Sequence, residues 1–517
     1  MANSTNQLKI GSLLSYLQMF LGVIISLLYT PMMLDLLGQS EYGLYNTVSS
    51  TISMLSLLSL GFNSGYIRYY SKYKHNKDTE SIWKLNGLFL IIFTIIGIIA
   101  LICGLFLAFH LEWVFAEGLT VSEYGIARTL MILLTFNLAI SFPMSVFSHI
   151  ISAHEKFVFL KIISIIKTVI SPFVTLPLLL MGFRSIAMVT ITLLLSVVTD
   201  AIYTYYVLKK LNNRFIFRGF ERGIFFNLFS YTAFIAINLI VDQINWNVDK
   251  ILLGRYKGTA SVAVYSVGYT LYQYYMMFST SISSVFIPKI HRIVQESKEN
   301  KEICRERLTE LFVKVGRIQF ILLGLVASGL IVFGKEFITC YWAGVGYEDA
   351  YYVALLLVLP ATIALSQNTG IEIQRAQNKH RFRAIVYTFM AAANVIMSVY
   401  LCQLYGAVGS AVGTAISLVL ANGIVMNIYY HRHCNIDVVV FWKGIFRVLV
   451  GMLIPAISGW LIHTFVNLTN PIYFVFAIML YIVVYSGSMW FFGMNEYEKS
   501  LIVTPITRIR RKFHDRH

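Results

Sequence analysis

The chain has 517 residues, of which 57% are hydrophobic and only 13% are charged, and its formal net charge is +16. A soluble protein of this length needs charge over most of its surface, so the composition excludes that class and indicates a polytopic helical membrane protein. The cysteines are scattered singly, which excludes a disulfide framework or a paired zinc site: Cys103, Cys304, Cys340, Cys402 and Cys434.

Apolar stretches long enough to cross a bilayer follow one another along the chain. A membrane is spanned by roughly 20 apolar helical residues, and this window predicts about fourteen transmembrane helices. The predicted spans are 10–34, 44–67, 85–109, 129–151, 162–182, 186–207, 223–248, 259–287, 315–334, 351–374, 384–402, 406–429, 448–468 and 471–493. The first is longer than the apolar core of a signal peptide, so we expect it to be retained.

Basic residues set the predicted orientation. With both termini in the cytoplasm, most of the 41 lysines and arginines lie on the cytoplasmic side, as the positive-inside rule requires. The positive charge then reflects orientation and contact with anionic membrane lipids, and no nucleic-acid partner is expected.

The longest cytoplasmic segment, 289–317, mixes both signs of charge with spaced apolar residues. This pattern is typical of an amphipathic helix on the membrane surface, and equally of a solvated linker helix. The apolar residues are Ile290, Ile293, Ile303, Leu308, Leu311 and Val315.

Three segments of the first half recur in the same order in the second half. The pairs are LDLLGQSEYGLY (34–45) with DKILLGRYKGTASVAVY (249–265), LEWVFAEG (111–118) with KEFITCYWAG (335–344), and ISAHEKFVF (151–159) with QRAQNKHRF (374–382). Each repeat holds six predicted helices, which predicts two pseudo-symmetric six-helix bundles around a central cleft. The predicted boundaries are 1–210 and 211–430 for the bundles, 431–493 for two additional helices, and 494–517 for a basic cytoplasmic tail.

This organisation resembles the polysaccharide transporter family, which includes the Wzx-type O-antigen and capsule flippases of the multidrug/oligosaccharidyl-lipid/polysaccharide exporter superfamily. The motifs that carry the resemblance are LLGQSEYGLY (36–45) after the first helix and LYGAVGSAVGTAIS (404–417) at the start of the twelfth. The resemblance implies alternating-access transfer of an undecaprenyl-pyrophosphate-linked oligosaccharide across the bacterial cytoplasmic membrane. A proton or sodium ion would be the coupling ion, and a polysaccharide polymerase and a chain-length regulator would be partners.

The seventh predicted helix carries polar residues on one face, at helical spacing. They are Asn227, Tyr231, Asn238, Asp242, Asn245 and Asp249. A carboxylate at membrane depth needs a partner, a proton or water, so this face should line a cavity. Asp242 is therefore either an ion-coupling site or a buried partner of Lys250 or Arg255. Asp249 and Glu372 are further ion-coupling candidates, although Glu372 could instead pair with Arg375 along the helix.

Three cations are candidates for binding a pyrophosphate, because Lys and Arg form charge-assisted hydrogen bonds with phosphate. They are Lys167, Arg68 and Arg375. Alternatively, Lys167 snorkels to the headgroups, and the two arginines are ordinary cytoplasmic anchors. The candidates for a polar and aromatic substrate path are Asn63, Tyr231, Asn238, Tyr269, Tyr272 and Gln367. The alternative for such residues is hydrogen bonding between packed helices.

Other functions remain open at this point. The same superfamily contains multidrug and cation antiporters, and a flippase could also carry a cell-wall or teichoic-acid precursor. A membrane glycan polymerase or ligase is the rival enzyme class. Such enzymes need catalytic residues in a sizeable outer loop, and the longest outer loops, 110–128 and 335–350, contain no catalytic pattern. We therefore expect no enzymatic activity and no cofactor.

Overall fold

The computed structural model describes residues 2–59, 61–116, 118–219, 222–297 and 300–504. The side chains of a few helical residues, Asn63 and Tyr231 among them, lie outside this described part. Secondary structure in the described ranges is entirely helical, without a strand. The predicted all-α class is therefore confirmed.

Within the described ranges, bounds are assigned to eighteen α-helices. The first nine are α1 (Ala2–Met54), α2 (Phe62–His75), α3 (Thr79–Phe109), α4 (Glu112–Phe115), α5 (Val121–Ala153), α6 (Phe157–Leu180), α7 (Arg184–Tyr205), α8 (Arg222–Tyr256) and α9 (Thr259–Ser284). The others are α10 (Ile287–Glu296), α11 (Lys301–Glu336), α12 (Glu348–Ser366), α13 (Asn368–Ala376), α14 (His380–Leu418), α15 (Met426–His433), α16 (Val438–Gly451), α17 (Leu453–Phe465) and α18 (Pro471–Ser488).

The chain is a multi-pass membrane protein. Among the described residues, 10 helical stretches are long and apolar enough to span a membrane. Two of them, Ile10–Ser59 and Arg381–His433, have 50 and 53 residues, more than twice the length that one crossing needs. They are kinked at Gly38 (φ 75°) and Gly406 (φ 58°), where only glycine adopts such a backbone without strain.

Helix occupies most of every predicted span. Each of the two kinked stretches covers two predicted spans, and α8 and α9 cover the seventh and eighth. The count of fourteen separate crossings stays a prediction.

The chain packs as two compact units. Unit 1 contains the described residues of Met1–Val267 and Ala391–Gly413, and unit 2 contains those of Gly268–Met390 and Thr414–His517. Helix α8 thus belongs to unit 1, whereas the repeat-based boundary at 210/211 assigns it to the second bundle. The reason is its packing against α1. The bundle boundaries themselves stay a prediction.

In unit 1, α3 and α5 pack closely around small residues. A Cβ added at Gly97 would lie 2.6 Å from the carbonyl oxygen of Ala139, and one at Gly104 would overlap Thr135. Small residues at such positions let membrane helices approach within van der Waals contact along their length. A neighbouring core cluster of unit 1 is aromatic, with Tyr66, Phe89 and Phe93 buried together.

In unit 2, α11 lies in the centre of the main core. Phe312 packs against Phe441 with ring centroids 4.7 Å apart, and Tyr485 donates a hydrogen bond of 2.7 Å to the carbonyl oxygen of Ile321. The predicted additional helices, seen as α16 to α18, therefore pack directly on α11. Buried residues of all four helices form one cluster.

The 289–317 segment differs from its expected position. It forms α10 and the first turns of α11, with residues 298–299 outside the described ranges. Five of its six apolar residues are buried in the core of unit 2: Ile290, Ile293, Leu308, Leu311 and Val315. Only Ile303 is exposed, at 44%. The apolar face therefore packs on protein, because α13 and the rest of α11 cover it, and it meets neither a membrane surface nor solvent.

The internal repeat is visible in local structure. The turns after α5 and after α13 both contain a residue with positive φ, Glu155 (59°) and Asn378 (56°). Stacked ring pairs follow each turn at the same offset in the chain. The pairs are Phe159 with Tyr206 (centroids 4.1 Å apart) and Phe382 with Tyr429 (4.2 Å). Matching turns followed by matching ring stacks support a genuine sequence repeat.

Candidate functional site

The three predicted cations lie on three helices. Arg68 is exposed on α2, and Arg375 is exposed on α13. Lys167 is half-buried on α6, where its Nζ donates a 2.9 Å hydrogen bond to Ser196 Oγ on α7. Asp200, one turn further along α7, also interacts electrostatically with Lys167. The ammonium group of Lys167 therefore has polar partners within the α6–α7 pair.

The polar residues of α8 fall into two environments. Asn238 and Asp242 are exposed on this helix. Asp249 is only 3% exposed, and its Oδ2 accepts a 2.7 Å hydrogen bond from the hydroxyl of Tyr265 on α9. Lys250 interacts electrostatically with Asp249. Asp249 therefore joins α8 to α9 inside unit 1, whereas Asp242 is accessible.

The two cations named as possible partners of Asp242 have other contacts. Lys250 interacts electrostatically with Asp249. Arg255 Nη1 donates a 2.5 Å hydrogen bond to the carbonyl oxygen of Trp113. The side chains of two other predicted residues, Asn63 on α2 and Tyr231 on α8, lie outside the described part of the chain.

In unit 2, the predicted residues divide between buried and accessible positions. Glu372 accepts a 2.7 Å hydrogen bond from Arg375 Nη1, the pairing along the helix that the spacing predicts. The rings of Tyr269 and Tyr272 lie 5.7 Å apart, and Tyr269 is buried while Tyr272 is half-buried.

Gln367 is buried and hydrogen bonded to a side chain of another helix. It is 2% exposed, and its amide exchanges hydrogen bonds of 3.1 and 3.3 Å with Asn427. The indole of Trp442 also donates to Asn427, at 3.0 Å. These bonds join three helical segments, as polar residues do inside packed membrane helices.

Glu41, in the QSEYG motif that carries the family resemblance, is a buried carboxylate not predicted from the sequence. Its Oε1 accepts hydrogen bonds from the backbone N–H (2.9 Å) and hydroxyl (2.5 Å) of Ser185. Its Oε2 lies 3.2 Å from Arg184 Nη1. The carboxylate thus satisfies free N–H groups at the start of α7. The motif was the only sequence signal for it.

Glu123 is a second buried carboxylate that the sequence did not single out. It accepts hydrogen bonds from the backbone N–H (2.8 Å) and hydroxyl (2.7 Å) of Thr120. The hydroxyls of Ser40 and Thr259 also donate to it, the latter at 2.8 Å. We call these four residues the Glu123 junction. The Thr-x-x-Glu spacing of a capping box predicts only the bond from the Thr120 backbone N–H.

A polar network joins α2, α3, α5 and the segment after α7 in unit 1. Tyr66 donates to Asn86 Oδ1 at 2.7 Å, and Asn86 reaches Asn213 at 3.4 Å. His154 contacts both Asn213 and the Tyr70 hydroxyl. Burial lowers the pKa of His154, so its ring is neutral at physiological pH. The network fixes the 211–219 segment against the bundle.

A buried ion pair joins α11 to the segment after α18. Arg317 Nε and Nη2 donate to the two carboxylate oxygens of Glu498 at 2.6 and 2.9 Å. Nη2 also donates to the carbonyl oxygen of Gly493 at 2.7 Å, and Nη1 donates to that of Gly444. Both side chains are almost completely buried. Four guanidinium N–H groups and both carboxylate oxygens thus have partners, and such bonds offset the desolvation cost of a buried pair.

A charged cavity of about 230 Å³ lies between α10 and α11. Glu296 pairs with Arg292 and Arg307, at 3.9 and 3.3 Å. Glu310 pairs with Lys314 at 2.5 Å. Three of the four cations that line the cavity thus have carboxylate partners in its own walls.

Metal ligands do not cluster in the described ranges. Within them, no group of three or more His, Cys, Asp or Glu side chains could hold a metal ion. All five cysteines, which lie in these ranges, are free thiols.

Sequence comparison identifies a family and two relatives. A family model described as "Polysaccharide biosynthesis protein" matches residues 9–294, more than half of the chain. "Uncharacterized membrane protein EpsK" of Bacillus subtilis (strain 168) is 23% identical over 449 residues, 85% of each chain. "Probable flippase AglR" of Haloferax volcanii is 25% identical over 190 residues, 36% of this chain and 38% of that protein.

Structural comparison identifies the fold. The lipid II flippase MurJ, in an inward closed conformation, matches with a TM-score of 0.65 and 15% identity, covering 96% of this chain and 99% of MurJ. An inward-facing multidrug resistance MATE family transporter of the MOP superfamily matches with a TM-score of 0.60 and 16% identity, covering 86% and 98%. The fold is therefore similar to that of these two transporters.

Proposed function

The chain belongs to the polysaccharide biosynthesis protein family, and we propose that it is a flippase for an undecaprenyl-pyrophosphate-linked oligosaccharide. The family match over residues 9–294 in a multi-pass chain carries this proposal. A large polar head group crosses hydrocarbon only at high cost, so such a lipid needs a protein path. The carried unit would be the repeat of an O-antigen, a capsule or an exopolysaccharide.

The proposed location is the bacterial cytoplasmic membrane, with both termini in the cytoplasm. The distribution of lysine and arginine supports this orientation. The substrate would enter from the cytoplasmic leaflet and leave in the outer leaflet by alternating access. There a polysaccharide polymerase and a chain-length regulator would use it.

The candidate pyrophosphate contacts are Arg68 and Lys167 in unit 1 and Arg375 in unit 2. Arginine and lysine are the natural donors for phosphate oxygens. The exposure of Arg68 and Arg375 leaves them accessible to a headgroup. The hydrogen bond from Lys167 to Ser196 keeps its ammonium group beside α7. The candidate sugar contacts are Asn63, Tyr231 and Asn238 in unit 1, and Tyr269 and Tyr272 in unit 2.

Among the ion-coupling candidates, we favour Asp242. Its exposed position on a membrane helix supports this choice, because a carboxylate at that depth requires water or an ion beside it. Asp249 is hydrogen bonded to Tyr265, and Glu372 is paired with Arg375, so both have structural roles. A proton or a sodium ion would bind Asp242 in one state and leave in the other.

Loss of the gene in its native cell tests the proposal. We expect the lipid-linked oligosaccharide to accumulate in the inner leaflet and the surface glycan to disappear, both restored by a plasmid copy. Extraction of radiolabelled lipid-linked sugars and surface-glycan immunoblotting measure the two effects. The proposal would be contradicted if the surface glycan were unchanged and, instead, transport of a cell-wall precursor were blocked or dye efflux were altered.

A further inference from the structure

The Glu123 junction connects the two segments that repeat in the sequence. Ser40 lies in the first copy, 34–45, and Thr259 lies in the second, 249–265. Their hydroxyls are 2.8 Å apart, and both donate to the carboxylate of Glu123 at the start of α5. We propose that the Glu123 junction holds the outer ends of the two repeats together and must open in each transport cycle. This inference rests on the proposed flippase function.

The hydrogen bonds to the Glu123 carboxylate are stronger than hydrogen bonds between neutral groups. Glu123 is 9% exposed, and Thr259 is buried. Hydrogen bonds to a carboxylate are shorter and stronger than neutral ones, and burial strengthens them further by lowering the local dielectric. The four donors come from Ser40, Thr259 and, twice, Thr120. The carboxylate therefore favours the joined state.

The backbones at the junction are in direct contact. A Cβ at Gly43 would overlap the carbonyl oxygen of Thr259, and a Cβ at Gly118 would overlap that of Gly254. On the facing side, a Cβ at Gly254 would lie 2.7 Å from Thr47 Cγ2. Glycines at these positions permit an approach close enough to exclude water. This end of unit 1 is closed.

Alternating access requires such a contact to be reversible. Two repeats that rock about a central site exchange contacts at one end for contacts at the other. The sequence-based orientation places residues 35–43, 110–128 and 249–258 on the outer side. Water can replace hydroxyl donors when the ends separate, while the Thr120 bonds stay within one segment. Glu123 can thus release Thr259 while it keeps its bonds to Thr120 and Ser40, which lie in the same repeat.

Cross-linking tests the requirement for opening. In a Cys103→Ala/Cys340→Ala background, Ser40→Cys/Thr259→Cys is reconstituted with a fluorescent pyrophosphate-linked lipid oligosaccharide. We expect oxidation to abolish flipping by the cross-linked fraction, because the disulfide keeps the junction closed, and reduction to restore it. Gly11→Cys/Phe157→Cys, which joins α1 to α6 within one repeat, is the matched control. Normal flipping by the oxidised Ser40/Thr259 pair would overturn the proposal.

A transport-independent measurement separates this inference from the proposed function. Labelling of Ser40→Cys with a membrane-impermeant maleimide reports opening of the junction in intact cells. Glu123→Gln should speed labelling by about tenfold, whereas Glu112→Gln, at an exposed position, should not. Unchanged labelling in Glu123→Gln would overturn the junction proposal. Faster labelling in a protein that moves no probe would support the junction and contradict the flippase function.

Discussion

Asp242 and Glu123 are two carboxylates with opposite surroundings. Asp242 is exposed on α8, whereas Glu123 is buried among hydroxyl donors from three segments. A buried and fully bonded carboxylate holds a structure together, while an accessible one at membrane depth can take up and release an ion. We therefore propose a separate role for the carboxylate at each position.

The substitution Asp242→Asn tests the transport role. We expect flipping to fall by about tenfold or more, since the amide cannot bind a cation by charge, with the amount of membrane protein unchanged. Asp349→Asn, which alters an exposed carboxylate at the start of α12, is the control and should keep full activity. Full export of surface glycan by Asp242→Asn at normal protein level would refute the assignment.

Lys167 could either bind the pyrophosphate or stabilise the α6–α7 pair through its hydrogen bond to Ser196, and substitutions can separate these two roles. If it binds pyrophosphate, Lys167→Ala should reduce flipping by about tenfold or more, on the scale of a lost charge-assisted bond. Ser196→Ala, which removes only its 2.9 Å hydrogen bond, should then have a much smaller effect. The rates are measured in reconstituted vesicles. Equal losses in the two variants would show that the bond within the α6–α7 pair is what matters.

The Arg317–Glu498 pair should dominate the stability of unit 2. Glu498→Gln leaves a buried guanidinium without its counter-charge, and we expect a loss of about 3–5 kcal/mol, seen as a lower midpoint of thermal unfolding in detergent. Glu310→Gln breaks an exposed pair with Lys314 and should cost less than about 1 kcal/mol. Similar midpoints for the two variants would contradict this account.

At the level of elements, the family motif 36–45 acts through backbone geometry. Gly38 permits the kink in α1, Ser40 and Glu41 accept or donate bonds to neighbouring segments, and Gly43 allows close backbone contact. The sequence predicted two spans here because polar residues interrupt the apolar run. The helix nevertheless continues, since the kink at Gly38 redirects it without ending it.

Gly43→Ala should disturb the packing of α1 against the start of α9. The added methyl group overlaps the Thr259 carbonyl oxygen, and such overpacking costs about 1–3 kcal/mol. Gly22→Ala, where a Cβ meets nothing within 4 Å, should be neutral or slightly stabilising because alanine favours helix. Thermal unfolding in detergent compares them. A stable Gly43→Ala variant would contradict the close contact.

Element positions were predictable, but their partners were not. Hydropathy located helices because about 20 apolar residues are needed per crossing. It did not show that Ile290 and Leu308 pack on protein, because an amphipathic face looks the same whether membrane or α13 covers it. The sequence likewise does not show that Gln367 pairs with Asn427, to which the indole of Trp442 also donates, because these contacts are distant in sequence. The place of Gln367 on a substrate path stays a prediction.

At the level of the whole molecule, the repeat is the most informative sequence feature. It is reflected in matching turns at Glu155 and Asn378 and in matching ring stacks after them. With the motifs at 36–45 and 404–417, it indicated the polysaccharide transporter family, and a family model described as "Polysaccharide biosynthesis protein" matches residues 9–294. Buried carboxylates such as Glu41 and Glu123 were missed, since no local pattern separates a fully bonded carboxylate from an exposed one. The identities of the glycan and of the coupling ion are set by the side chains that contact them and not by the fold.

The central claim is that this chain moves a pyrophosphate-linked lipid oligosaccharide between leaflets. Purified protein in vesicles, with a fluorescent probe of that chemistry and an impermeant quencher, tests it most directly. We expect the protein to raise the quenched fraction above that of protein-free vesicles, and Asp242→Asn to reduce the effect. A quenched fraction equal to that of protein-free vesicles, under every proton or sodium gradient applied, would contradict the account.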